Sequence, residues 1–339
     1  MTASLKQNKR ILLLHTGGTI GMGLPKPPVE RPLSPDDRFV RKLFAAVPEL
    51  KQLANVTIKG LYNKDSSQIT PADWIGVAAA IGEHYEDYDG FVVTHGTDTM
   101  AFTATAVSYL LPYPCKPVVF TGSQRPLGEI RTDARRNLIC SVAFAASHKV
   151  LETSIFFDTV LLRANRAVKV HIEEFHAFDS PNFPRLAEER LHTRYNPVPR
   201  AACSRPALPA RFDGHVQVVH PFPGQQVSLD PKALAVFMLA FGCGNLPLDE
   251  SSILKLLQTC KKRKIPVLLG TQVAAGATSP EIYEMGRRAL DLGAIATGDM
   301  TFPAALIKAM VLAANKVPYP LWKGFITANW AGELSPQEP

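Results

Sequence analysis

Ile11-Leu12-Leu13-Leu14-His15-Thr16-Gly17-Gly18-Thr19-Ile20-Gly21-Met22-Gly23 decides the reading of the fold. Four apolar residues run without interruption into a turn rich in glycine and threonine. A strand that is apolar throughout is buried on both faces, as happens in parallel sheets covered by helices. The same texture returns downstream. Val56–Tyr62, Phe91–Thr94, Val118–Thr121 and Ser154–Phe157 read as strands, with Asp36–Val47, Pro71–Glu86, Thr99–Leu111 and Asp133–Ala146 as the helices between them. This βαβ rhythm predicts an α/β fold with a doubly wound, mostly parallel sheet.

The chain has 339 residues, more than the ~250–300 at which a single core stops growing, so two domains are expected. Between Pro181 and Pro231, prolines recur at 181, 184, 197, 199, 206, 209, 221, 223 and 231. Such spacing supports neither a helix nor an inner strand. The division that follows is a larger N-terminal domain at 1–195, a proline-rich linker at 196–214 and a smaller C-terminal α/β domain at 215–339. In the last, Val216–His220, Ala233–Phe241, Val267–Gly270 and Ala294–Thr297 read as strands. Glu250–Arg263, Glu281–Leu292 and Phe302–Ala314 read as helices.

Composition narrows the function class. Hydrophobic residues make up 46% and charged residues 20%, and no run approaches the ~20 apolar residues of a membrane span. The apolar run after the basic N-terminal stretch is Ile11–Leu14, shorter than the ~7–15 residues of a secretory signal. A cytoplasmic enzyme with no membrane partner is expected. Cys115, Cys140, Cys203, Cys243 and Cys260 are widely spaced with no C-x-x-C pair, which argues against a disulfide framework and a zinc site. His171 and His176 are five apart, off the i,i+4 metal spacing. No metal and no cofactor are expected. The net charge of +7 is scattered except at Lys261-Lys262-Arg263-Lys264, which suits the dipole of a helix end. Without aromatic–basic interleaving, nucleic acid is not an expected partner.

In doubly wound sheets ligands bind beyond the carboxyl ends of the strands. The turn after Ile11–Leu14 fits neither G-x-G-x-x-G nor the Walker pattern, since Leu24 and Pro25 follow Gly23. Its consecutive glycines let the backbone approach a ligand and expose N–H groups to a developing oxyanion. A plain tight turn with incidental threonines is an equal reading of that loop alone. A second turn, Thr94-His95-Gly96-Thr97-Asp98-Thr99-Met100, follows Phe91–Val93. There Asp98 could serve simply as a helix N-cap. Together the two turns put hydroxyls, a carboxylate and bare amides in one crevice. A hydroxyl nucleophile requires a base or proton sink. His95 is one candidate, although it precedes the glycine and could equally turn into the sheet. A desolvated lysine is another, and residue type does not select it from 37 Lys and Arg.

Thr16-Gly17-Gly18-Thr19-Ile20-Gly21-Met22 with His95-Gly96-Thr97-Asp98-Thr99-Met100 resembles the two signature segments of the bacterial-type asparaginase/glutaminase family. Asp65-Ser66-Ser67, Thr70-Pro71 and Trp74 resemble its substrate-binding turn. Phe156-Phe157, Arg163, Asn165-Arg166, Lys169 and Phe178-Asp179-Ser180-Pro181-Asn182 resemble its cytoplasmic type I branch, as do Gly242-Cys243-Gly244-Asn245 and Gly332-Glu333-Leu334-Ser335-Pro336. The resemblance implies hydrolysis of L-asparagine to L-aspartate and ammonia through a threonine acyl-enzyme. It implies Thr19 as primary nucleophile and Thr97, Asp98 and Lys169 as a second triad. Backbone N–H groups near Gly18 and Thr97 would form the oxyanion hole. Asp65, Ser66 and Ser67 would line the substrate turn, with Ser66 on the α-carboxylate and Asp98, as a buried carboxylate, on the α-ammonium. It also implies a homodimer or homotetramer, with Asn245 a contact toward another subunit's site.

Against that pattern, residues 20–40 contain no Tyr, and Glu30 falls near the place of the lid tyrosine that many family members carry. Leu239, Val168 and Val273 fall where some type I enzymes place an Arg, a Thr and a Cys for activation by asparagine, which implies non-cooperative kinetics. Between Pro223 and Ala233 the chain reads as shorter than in the family. The competing readings are a glutaminase-asparaginase, the glutaminase subunit of a tRNA-dependent amidotransferase, and a non-catalytic amino-acid-binding protein on the same scaffold.

Overall fold

A computed structural model describes residues 9–22, 38–198, 211–212, 214–249 and 251–336. Glu30, the Pro25–Pro35 stretch, Cys203, Glu250 and residues 199–210 and 213 of the expected linker lie outside the described residues. The chain divides into two compact units, Met1–Ser180 with Pro184–Leu208, and Pro181–Phe183 with Pro209–Pro339.

The first unit holds β1 (Arg10–Gly17), β2 (Asn55–Lys64), β3 (Gly90–Thr94), β4 (Val118–Thr121), β5 (Thr153–Phe157), β6 (Val160–Arg163), β7 (Val168–Lys169), β8 (Phe178–Asp179), β9 (Ala187–Glu188) and β10 (Arg194–Tyr195). Eight strands form one sheet in the order β10-β9-β6-β5-β4-β3-β1-β2. From β2 to β5 the pairing is parallel, as expected from the apolar runs. β5, β6, β9 and β10 continue it antiparallel. Sequence reading missed this extension. The β5–β6 turn uses Asp158 with φ 56, a left-handed residue where glycine would have announced a hairpin. The later strands are two residues each and too short for any period.

Helices α1 (Arg38–Ala46), α2 (Leu50–Leu53), α3 (Pro71–Glu83), α4 (Met100–Leu110) and α5 (Ala134–Ser147) complete this unit. α4 is buried along almost its whole length. At the start of α3 the Thr70 N–H and hydroxyl both donate to the Asp73 carboxylate, each at 2.8 Å. That satisfies donors a helix end leaves open. β1 lies between β2 and β3, so the strand order reverses direction at the β1–β3 boundary. The carboxyl ends of those two strands therefore flank the crevice where ligands bind in open sheets.

The second unit has a parallel sheet of β11 (Val216–Val219), β12 (Ala235–Ala240), β13 (Val267–Thr271) and β14 (Ala294–Ala296), in that order. Its helices are α6 (Ser252–Arg263), α7 (Glu284–Asp291), α8 (Phe302–Ala314) and α9 (Trp322–Thr327). One face packs Val236, Met238 and Leu269 with Leu256 and Leu257 of α6. The other packs Phe237 and Leu268 with Ala305, Ala309 and Leu312 of α8. Inside lies an ion pair, Lys308 with Glu333, both 0% exposed and 2.5 Å apart. Lys308 also donates to the carbonyls of Ile326 and Ala328. Glu333 accepts from the N–H groups of Trp330 and Ala331 at 2.9 and 2.7 Å. Among the described residues Cys140, Cys243 and Cys260 are free thiols, and no helix is long and apolar enough to cross a membrane.

Candidate active site

β1 ends at Gly17 and is followed by Gly18, and their φ values of 110 and 80 lie in the left-handed region that glycine tolerates. Thr19 opens the short helical turn Thr19–Gly21 that follows. β3 delivers His95 to Asp98 beside it. The two turns touch without side chains between them: a Cβ on Gly18 would lie 2.5 Å from the Gly96 nitrogen. Gly96 in turn leaves no space toward β2's end, where a Cβ would lie 2.7 Å from Ser66 Oγ. The Thr99 hydroxyl donates to the Ser66 carbonyl at 2.8 Å, locking the third turn to the second. Three strand-end turns thus meet, those of β1 and β3 through backbone and that of β2 through Ser66 and the Thr99 hydroxyl.

Lys169, on β7, is the lysine that residue type could not select. Its Nζ donates to Thr97 Oγ1 at 2.9 Å and to Asp98 Oδ1 at 2.7 Å. β7 pairs with β8 so that Lys169 faces Phe178, a fully buried ring packed 5.1 Å from that of Phe157. The Asp98 carboxylate is therefore an ion-pair partner; the N-cap of α4 is Thr99, without a side-chain cap bond. The expected burial of Asp98 is not observed. Its side chain is 66% exposed and that of Lys169 19%, so the pair stands at the edge of solvent.

Of the backbone N–H groups near Gly18 and Thr97 expected to face an oxyanion, that of Gly18 itself is engaged elsewhere. Gly18 N–H donates to the Lys64 carbonyl at 3.2 Å, because Gly17 and Gly18 lie against the end of β2. The N–H groups of Thr19 and Thr97 meet no backbone acceptor among the described residues. They are the amides available to an anion there. Ser66 is buried, whereas Asp65 and Ser67 are exposed and bonded to each other: Asp65 accepts from the Ser67 N–H at 2.8 Å and from its hydroxyl at 2.6 Å. Those bonds hold the Asp65 carboxyl below its ordinary pKa. Asn245 belongs to the second unit, where it bridges Phe241.

Both histidines near the turns are structural. His95 is buried, with Nδ1 at 2.8 Å from the Gly96 carbonyl and Nε2 at 2.9 Å from Thr103 Oγ1. Burial lowers its pKa to about 4 against a weaker opposing pull from that carbonyl. His15, whose Nδ1 lies 2.9 Å from Thr94 Oγ1, is lowered to about 4 by burial as well. Each imidazole is neutral at pH 7, and with both ring nitrogens engaged by the Gly96 carbonyl and Thr103, His95 is set aside as a proton carrier.

Sequence reasoning missed the groups beneath the turns. The Thr16 hydroxyl donates to the Thr94 carbonyl at 2.8 Å, joining β1 to β3. Lys64 donates to Asp73 at 2.6 Å and lies 5.3 Å from the centre of the Tyr62 ring. Among the described residues no three His, Cys, Asp or Glu side chains converge as metal ligands. A cavity of about 1040 Å³ in the second unit is lined by residues along β14 and α9 and by none of the candidate residues.

Comparison with known proteins gives a consistent picture. The model described as asparaginase, N-terminal, matches residues 10–199, and that of the glutaminase/asparaginase C-terminal domain matches 216–319. The chain is 34% identical over 351 aligned positions to L-asparaginase 1 of Escherichia coli (strain K12), covering 98% of this chain and 100% of that one. The solved structure of the thermostable L-asparaginase from Thermococcus kodakarensis superposes with a TM-score of 0.84 at 30% identity, over 97% of this chain and 100% of that one. L-asparaginase I from Vibrio cholerae gives 0.82 at 35% identity, over 97% and 99%.

Proposed function

The chain belongs to the asparaginase family, and on that premise we propose that it is an L-asparagine amidohydrolase with its catalytic groups at the carboxyl ends of β1 and β3. The observation that carries this is the placement of Lys169 Nζ between Thr97 Oγ1 and Asp98 Oδ1, at 2.9 and 2.7 Å. A lysine that bridges a hydroxyl and a carboxylate orients the hydroxyl oxygen and gives a displaced proton a path.

Thr19 Oγ1 attacks the side-chain amide carbon, and its proton passes to the leaving nitrogen, which departs as ammonia. The aspartyl ester left on Thr19 is cleaved by a water that Thr97 and Lys169 orient and deprotonate, which restores the hydroxyl and releases L-aspartate. The Thr19 and Thr97 amides face the oxyanion in both steps. Ser66 holds the α-carboxylate and Asp98 the α-ammonium, so a peptide-linked asparagine leaves both charges unmatched. A cytoplasmic homo-oligomer, dimer or tetramer, with Asn245 toward another subunit's site, completes the reading.

The test is ammonia release from L-asparagine, L-glutamine and D-asparagine by the intact chain and by Thr19→Ala and Thr97→Ala. L-Asparagine is expected to be the best substrate, and each variant to lose a factor on the order of 10³ or more in kcat while folding normally. Near-normal turnover by either variant would rule out the roles assigned. Glutamine turnover equal to that of asparagine would favour the broader glutaminase-asparaginase.

A further inference from the structure

The pairing of β1 with β2 runs without interruption from Arg10↔Asn55 to His15↔Gly60 and resumes at Gly17↔Lys64. Thr16 alone is thus faced by Leu61, Tyr62 and Asn63. Extra residues of this kind bend a strand and re-aim a side chain, and they recur beside active sites. Here the re-aimed side chain is Tyr62. Its hydroxyl is shielded from solvent and meets no hydrogen-bond partner at full geometry among the described residues. The groups close enough to act on it are the Asp73 carboxylate and the Thr16 hydroxyl. Burial, then Asp73, push the phenol above its ordinary pKa, while Thr16 pulls it down. It is therefore a neutral O–H donor at any working pH. Thr16 gives its own proton to the Thr94 carbonyl, which leaves its oxygen open to accept.

A buried hydroxyl without a partner is destabilising. A fold that keeps one beside a catalytic turn holds an interaction in reserve, and only interactions stronger in the transition state accelerate a reaction. We propose that Tyr62 is a positioning residue for the nucleophile turn, donating to Thr16 Oγ1 when substrate loads the site and so setting the aim of Thr19. No covalent bond changes and no proton leaves the phenol; the effect runs from Tyr62 to Thr16 and along the backbone to Thr19. Lys64, bound to Asp73, also lies over the Tyr62 ring.

This inference rests on the asparaginase reading, and the experiment separates the two. Tyr62→Phe keeps the ring and its contact with Lys64 and removes only the hydroxyl. It is expected to lower kcat about tenfold with KM unchanged within about twofold, while the thermal midpoint stays level or rises. A purely structural tyrosine would show the opposite, a lower midpoint with kcat intact. Thr16→Val should lose kcat similarly, and the double variant should lose no more than the worse single one. An unchanged kcat, a loss confined to KM, or additive losses in the double variant overturn the assignment. Wild-type protein that releases no ammonia from asparagine overturns the function and this assignment together. An active wild type with an unaffected Tyr62→Phe overturns the assignment alone.

Discussion

His15 and His95 are the two residues at the site whose chemistry most changes between sequence and structure. Burial holds both near pKa 4 in the fold, against about 6.5 in an unfolded chain. A group depressed in the folded state contributes stability that is complete above its unfolded pKa and is lost as pH falls toward the folded one. Between pH 6.5 and about 4 each histidine should therefore remove on the order of 1.4 kcal/mol per pH unit. Urea midpoints at pH 7, 6 and 5, above the main carboxylate titrations, are expected to fall steadily. A flat profile would show that one or both imidazoles are not neutral in the fold. Neither histidine should leave an inflection near pH 6.5 in kcat.

At the scale of elements, the contact of three turns through Gly18, Gly96 and Ser66 is the feature most sensitive to change. Gly18→Ala puts a methyl 2.5 Å from backbone at a φ of 80, where neither side can give way. The β1 and β3 turns must then separate, and a displacement of about 1 Å at a reacting group costs roughly a hundredfold in rate. Steady-state kinetics should show that loss in kcat, with a lower thermal midpoint beside it. Activity within threefold of wild type would mean that the turns move freely.

The sequence carried much of this scale. Parallel strands were readable because burial on both faces leaves unbroken apolar runs, and the turns because glycine and threonine sit at their ends. Lys169 was legible only by family resemblance, since a two-residue strand has no pattern of its own. Tyr62 and the engaged Gly18 amide were not legible at all: both depend on a slip in the β1–β2 register, which no periodicity encodes. The N-cap reading of Asp98 was locally sound and lost to a lysine 71 positions away.

On the scale of the whole molecule, the second unit encloses a sealed ion pair as well as its two apolar packings. Lys308 and Glu333 are sealed from water, and removing one partner of such a pair typically costs about 3–5 kcal/mol by leaving the other buried and unmatched. Glu333→Ala is expected to show that loss by urea denaturation of the intact chain, and Glu333→Gln less of it, since the amide oxygen still accepts from Lys308 and the backbone. Equal stability of Glu333→Ala and wild type would imply that water reaches Lys308. The double variant Lys308→Met with Glu333→Leu should recover most of the stability lost.

The same ion pair orders events in time. Glu333 follows Lys308 by 25 positions, so until the chain has been made past residue 333 the Lys308 ammonium has no carboxylate partner and the second unit cannot close around it. The first unit has no such dependence: Thr19, Thr97 and Lys169 are all made, and their strands can pair, while the second is still being translated. Emergence of residue 333 is then the step that lets the second unit close, and a chain cut short of it offers chaperones and proteases a completed first sheet followed by an open segment.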